Sequence, residues 1–133
     1  MSEYPLKIVT PDGLAFDGDA ERLIARTIVG DVCILKNHAD YVVPLNIGKI
    51  RVKSADTYRN ASCSGGTLTV RDGVVTVIAS TFEWSDEIDI ERAKHAKEVA
   101  ENRLKNKTSD YELRLAELKL KRALNRINIS SGK

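Results

Sequence analysis

Residues 67–77 read Thr67-Leu68-Thr69-Val70-Arg71-Asp72-Gly73-Val74-Val75-Thr76-Val77, and this stretch decides the class of the first half of the chain. Asp-Gly between two β-branched, alternating runs predicts a two-residue hairpin, because a type I′ turn needs positive φ at both central positions. Working outward, the same period-two alternation recurs. Leu6 and Ile8 alternate with Lys7 and Val9; Leu23, Ala25 and Val29 with Arg22 and Arg26; Ile50 and Val52 with Arg51 and Lys53. Pro11-Asp12-Gly13 and Gly65-Gly66 read as further turns. Many short strands with no helical period among them point to a small antiparallel sandwich or barrel.

The pattern stops near residue 85. All three prolines and seven of the eight glycines lie before that point, and Asp86 to Ser131 holds neither type. Charge divides too: residues 1–86 carry 9 basic and 11 acidic side chains, net −2, and residues 87–133 carry 12 and 8, net +4. The expected organisation is therefore an α+β chain with a strand-built part over 1–84 and a helical hairpin over 85–133. Asp86 or Asp89 caps the first helix, which carries Ile90, Ala93, Ala96, Ala100 and Leu104. Lys105-Asn106-Lys107-Thr108 breaks it, and Ser109 with Glu112 matches a capping box opening the second helix. That helix carries Leu113, Ala116, Leu120, Ala123 and Ile127, with Leu118 and Leu124 widening the stripe. A short connection makes the two helices antiparallel neighbours.

Composition narrows the function. With 133 residues, 42% hydrophobic and 30% charged, the chain is an ordinary folded protein of about one domain. A net charge of +2 does not argue for nucleic acid or an anionic membrane. Cys33 and Cys63 make no secreted disulfide framework, and His38 and His95 are the only imidazoles, so no multi-His metal site is expected. The start shows no basic region followed by an apolar run, and no stretch approaches the roughly 20 apolar residues of a membrane span. Phosphate-loop, nucleophile-elbow and zinc-protease motifs are absent. The reading is of a protein that is not an enzyme. It is expected in the cytoplasm or peripheral to a membrane, without direct insertion.

Two features of the hairpin bear on function. Lys119, Arg122 and Arg126 fall at i, i+3 and i+7, one face of the second helix, and Arg92 and Arg103 lie three turns apart on the first. Side by side, such stripes form a cationic strip able to grip phosphates, although charged residues opposite an apolar stripe are also the ordinary solvated face. The first helix buries mostly alanine, which contributes little on docking. A weakly docked two-helix element suits a switch better than a scaffold.

Three stretches resemble the epsilon subunit of the F-type ATP synthase. They are Gly30-Asp31-Val32-Cys33-Ile34-Leu35-Lys36-Asn37-His38-Ala39, Ser64-Gly65-Gly66-Thr67-Leu68-Thr69-Val70 with Val75-Thr76-Val77-Ile78-Ala79, and Glu87-Ile88-Asp89-Ile90-Glu91-Arg92-Ala93. The resemblance covers essentially the whole chain. It implies a ten-stranded sandwich beside a two-helix hairpin, in a non-catalytic rotor subunit of an ion-translocating complex. The implied partners are the gamma subunit, the membrane c-ring and the alpha and beta catalytic subunits, with no nucleic acid. The hairpin is implied to inhibit ATP hydrolysis by leaving the sandwich and entering the catalytic hexamer.

No cofactor is required, but ATP is implied as a regulatory ligand in some bacterial members. The matching positions are Glu83, Ile88, Asp89, Arg92, Ala93, Arg122 and Arg126. Two arginines of that site are replaced by Val99 and Leu115, with Arg103 and Arg114 nearby but on other helical faces. Asp31 and His38 are implied at the rotor contact, and Tyr41, Val42 and Val43 continue it, the valines reading equally well as inward-facing strand positions. The competing reading is a free-standing nucleotide sensor or helical-hairpin adaptor. Nucleic-acid binding through the +4 half is disfavoured, since Tyr111 is its lone aromatic.

Overall fold

The computed structural model describes residues 2–106 and 109–130. The chain divides into two compact units, Met1–Trp84 and Ser85–Lys133. The first holds eight strands: β1 Tyr4–Thr10, β2 Gly13–Ala20, β3 Arg22–Thr27, β4 Gly30–Ile34, β5 Tyr41–Ser54, β6 Thr57–Arg71, β7 Val74–Ala79 and β8 Phe82–Trp84. The second holds a 3₁₀ turn, Ser85–Glu87, then α1 Ile90–Lys105 and α2 Asp110–Ser130.

Strand order is β2-β1-β7-β6-β5-β3-β4, with β8 beside β6. β5 and β6 have 14 and 15 residues, long for strands, and pair along nearly their whole length. The ladder omits the Asn46–Gly65 pair while keeping the same register on either side, and there the neighbours of β6 change from β7 to β8 as the two strands pass from one layer to the other. The C-terminal part of β6 pairs β7, and its N-terminal part pairs β8. Counting each half once gives five strands per layer, which are the ten expected for a sandwich. The sandwich is antiparallel except at one seam, where Leu6–Val9 of β1 runs parallel to Val75–Ile78 of β7.

Alternation places Leu6, Ile8, Leu23, Ile34, Ile50, Leu68 and Val77 fully inside, in one cluster drawn from both layers. The Tyr4 hydroxyl donates to Ile34 O at 2.7 Å, so its polar tip is satisfied within the core. Trp84 closes the cluster. Its ring meets Phe82 edge-on at 4.9 Å and Phe16 at 6.2 Å, Arg59 stacks 3.7 Å over it, and its indole N–H donates to Ala15 O at 3.4 Å.

Asp72 and Gly73 have φ of 51° and 80°, the primed turn their identities predict. Two other expectations fail. Gly65-Gly66 is not a turn but lies inside β6, where the ladder to β5 omits one pair. Gly66 has φ 130°, and an added Cβ would meet Ile78 O at 1.9 Å, so its glycine serves a close backbone approach. Val29 is not an inward strand residue but is 74% exposed in the β3–β4 turn. There Thr27 Oγ1 accepts the Val29 N–H at 3.1 Å and donates to Gly30 O at 2.6 Å, ending the alternation early.

In the second unit Asp89, not Asp86, is the cap of α1, and its carboxylate accepts the Arg92 N–H at 3.1 Å. Asp86 sits in the 3₁₀ turn. At α2 the Ser109 hydroxyl accepts the Glu112 N–H at 3.1 Å, as the capping box requires. Of the predicted break, Lys107 and Thr108 lie outside the described residues. The helices pack along each other. Their buried alanines, Ala93 and Ala100 on α1 and Ala116 and Ala123 on α2, recur every seven residues, the spacing of an interhelical seam. A seam of alanines is narrow, so Leu118 and Leu124 do not widen it; they are 45% and 39% exposed, like Ile90 at 40%.

Candidate functional site

Helix capping positions the start of the hairpin. Ile88 is buried, Asp89 turns the chain into α1, Ala93 enters the seam, and Arg92 projects from the exposed first turn. Antiparallel packing sets this turn beside the C-terminal half of α2. There Arg122 is exposed and Arg126 half-buried, flanking the buried Ala123. The sequence-derived cationic positions of the two helices thus border one seam. Glu83 belongs to the first unit, on β8, in register with Ser62 of β6.

At the other end of the seam the structure adds what sequence reasoning missed. Val99, Asn102, Arg103, Asn106, Glu112, Leu115 and Ala116 line one cleft of about 490 Å³ between the helices. Arg103 was expected on another face from Val99 and Leu115, but it shares their cleft. The signal was available: Arg103 is four residues beyond Val99, and side chains at i and i+4 stack on one helical face. The cleft therefore holds a guanidinium where Val99 and Leu115 supply none. Arg114 is exposed and does not line it.

The positions implied at the rotor contact fall into two neighbouring groups. His38, in the loop before β5, donates from Nδ1 to Ala39 O at 2.7 Å and packs against the Tyr41 ring at 5.6 Å. Asp40 braces this loop by accepting the Asp72 N–H at 3.0 Å. Val42 is 71% exposed and Val43 5%, so the pleat separates the two valines: Val42 faces out and Val43 enters the core. Asp31 lies at the start of β4 in an exposed pair with Arg26, and that hydrogen bond holds the Arg26 guanidinium above its usual pKa.

The β3–β4 turn joins the groups, since the Ile28 N–H donates to Pro44 O at 3.2 Å, two residues from Val42. Ile28 and Val29, 61% and 74% exposed, thereby extend the apolar surface of Val42. Among the described residues no cluster of three or more His, Cys, Asp or Glu side chains could hold a metal. No described helix is long and apolar enough to cross a membrane.

Residues 3–85 match the family "ATP synthase, Delta/Epsilon chain, beta-sandwich domain", and residues 86–131 match "ATP synthase, Delta/Epsilon chain, long alpha-helix domain". The ATP synthase epsilon chain of Ruminococcus albus is 46% identical over 134 residues, covering 100% of both chains. That of an Exiguobacterium species is 42% identical, covering 100% of this chain and 99% of its own. Among solved structures, a chain of the Euglena gracilis mitochondrial ATP synthase aligns with a TM-score of 0.80 at 22% identity, covering 91% of this chain and 77% of that one. A chain of the Tetrahymena thermophila central stalk and c-ring aligns at 0.64 and 12%, covering 95% of each. At those identities the two structures speak for the fold alone.

Proposed function

The chain belongs to the ATP synthase delta/epsilon family, as an epsilon chain, and from that premise we propose a division of labour between its two units. The protein is a non-catalytic subunit of the central stalk. Its sandwich couples the gamma subunit to the c-ring at the cytoplasmic face of the cell membrane. Its hairpin restrains ATP hydrolysis by moving between a folded pose and one engaged with the alpha and beta subunits. The observation that carries this reading is the match of both halves, in order, to epsilon chains over the full length.

The rotor surface consists of Asp31 with His38, Tyr41 and Val42, extended by the exposed Ile28 and Val29. The seam between the helices is built for rearrangement: its alanines bury little apolar area, so separating α1 from α2 as the hairpin changes pose costs little. ATP acts as a clamp on the folded pose. Its phosphates are held by Arg92, Arg122 and Arg126, with Ile88, Asp89 and Ala93 shaping the helix start and Glu83 the acidic position before it. A ligand at about 100 times its Kd stabilises its state by about 2.7 kcal/mol, and a swing from 1:99 to 99:1 needs about 5.5 kcal/mol. ATP therefore biases the switch, and contacts with the rotor supply the remainder.

The test uses the assembled complex and the isolated chain together. In the double variant Arg122→Ala, Arg126→Ala, ATP titration followed by amide shifts over residues 83–126 is expected to weaken, and hydrolysis by the complex to change its inhibition. If both stay as in wild type, the charged face has been misassigned. If the chain fails to co-purify with a membrane ATPase, the adaptor reading replaces this one.

A further inference from the structure

We propose that the sandwich carries an anion site, formed by Arg22, Lys36 and Lys53, that takes a phosphoryl group. Arg22 opens β3, Lys53 is its Cα partner on β5, and Tyr58 is the partner of Lys53 on β6, so the three form one cross-strand row. Tyr58 organises the cations around itself. Its hydroxyl accepts from Arg22 Nη1 at 2.8 Å, and its ring lies 4.4 Å from the Arg51 guanidinium and 5.8 Å from Lys53 Nζ. The loop after β4 closes one side: the His38 N–H donates to Leu35 O at 3.2 Å, and Asn37 sits in the left-handed region at φ 67°. The result is a cavity of about 360 Å³ whose polar lining comprises Arg22, Lys36, Lys53, Glu21, Asn37 and Ser2.

Three observations point to an anionic occupant. First, three cations face two carboxylates: Glu21 Oε1 accepts the Asp56 N–H at 2.9 Å while Oε2 lies 3.8 Å from Lys53, and Asp56 Oδ1 lies 3.5 Å from Lys53. Both carboxylates thus gather on Lys53, and neither forms an ion pair with Arg22 or Lys36 among the described residues. This runs against the composition of the strand-built part, which is net negative. Second, Arg22 Nε is buried and has no hydrogen-bond partner among the described residues. A buried charged donor without an acceptor is unfavourable, and an oxyanion placed on the guanidinium fork removes the penalty. Third, two of the three cations are held rather than loose, with the Lys53 side chain only 24% exposed and Arg22 tied to Tyr58. An arginine fork flanked by two ammonium groups suits phosphoryl oxygens, and the source is either free phosphate or the headgroup of an anionic lipid.

The site lies wholly in the first unit and shares no residue with the hairpin, so its fate is separate from that of the nucleotide reading. The test follows the Arg22 Nε–H and the amides of residues 21–23, 35–37 and 52–54 in the full chain by NMR at constant ionic strength. Inorganic phosphate is the probe, with chloride as control. In a second arm, vesicles of phosphatidylglycerol are compared with vesicles of phosphatidylcholine. Saturable shifts with phosphate, weakened about tenfold in Lys36→Ala as expected for one charge-assisted contact, establish the site for the free ion. Binding confined to phosphatidylglycerol vesicles and weakened by the same substitution assigns it to a lipid headgroup. Lys36 is exposed on a loop, so its loss does not threaten folding. Shifts that grow linearly, match chloride and ignore Lys36→Ala, with no vesicle preference, overturn the proposal.

Discussion

The backbone N–H of Asp56 donates to the Glu21 carboxylate at 2.9 Å, joining residues 35 apart in the chain. The bond pins a tight turn: Ser54 pairs with Thr57, leaving Ala55 and Asp56 as a two-residue loop with φ of 50° and 63°. Both are in the left-handed region without being glycine, which costs roughly 1–2 kcal/mol per residue. Ala55→Gly relieves that strain and is expected to raise stability by about 0.5–1 kcal/mol after the entropy that glycine gives the unfolded chain. Glu21→Ala removes the pin and is expected to cost about 1 kcal/mol. Urea midpoints of the two variants, moving in opposite directions, check the pair.

Gly66→Ala places a methyl group 1.9 Å from Ile78 O, which is backbone and cannot step aside. We expect a loss of at least about 3 kcal/mol, since strain and a broken ladder add together. Gly65→Ala, whose added methyl group would stand 3.9 Å from Leu45 O and Ser80 Oγ, meets only the strain of its φ of 109° and is expected to cost less. Thermal unfolding of the two neighbours separates crowding from conformation.

Asp89 has two jobs that one substitution can part. Asp89→Ala loses the bond to the Arg92 N–H and is expected to cost the helix about 1 kcal/mol, seen as faster amide exchange over residues 90–93. Asp89→Ser keeps a capping oxygen but drops the charge, so exchange stays near wild type. If ATP titration of the Ser variant also matches wild type, the carboxylate acts only as a cap.

Burial pushes the Tyr4 hydroxyl above its ordinary pKa of 10.0. The folded state thus holds that proton more tightly than the unfolded chain does. The associated stability is fully present below pH about 10 and is lost as pH rises beyond it. Tyr4→Phe forfeits the 2.7 Å bond to Ile34 O, costing about 1 kcal/mol at neutral pH, but flattens the alkaline decline. Denaturant midpoints measured from pH about 8 to about 11 in both proteins supply the comparison.

Where a residue type carries its own backbone preference, the fold is readable in advance. Asp72-Gly73 announces its turn, and Ser109 and Asp89 announce helix starts, because each satisfies a local requirement. Ala55-Asp56 announces nothing, since its conformation is pinned by Glu21, 35 residues away in the chain. Gly65-Gly66 misleads for the converse reason: the need for glycine there arises from Ile78, a dozen residues away. The hairpin site divides the same way. Arg122 and Arg126 are legible from spacing along one helix. The cleft that unites Arg103 with Leu115 depends on how two helices meet. The Arg22, Lys36 and Lys53 cluster is invisible in a linear reading because three separate segments deliver one cation each.

The continuous passage of β5 and β6 from one layer into the other has a mechanical meaning for a part that rides a turning shaft. Sheets joined only by side-chain packing can slip under shear, because that packing has little directional stiffness. Here two covalent backbones bridge the layers, so torque applied to one face reaches the other through bonds that do not creep. The strand-built body turns as a single gear.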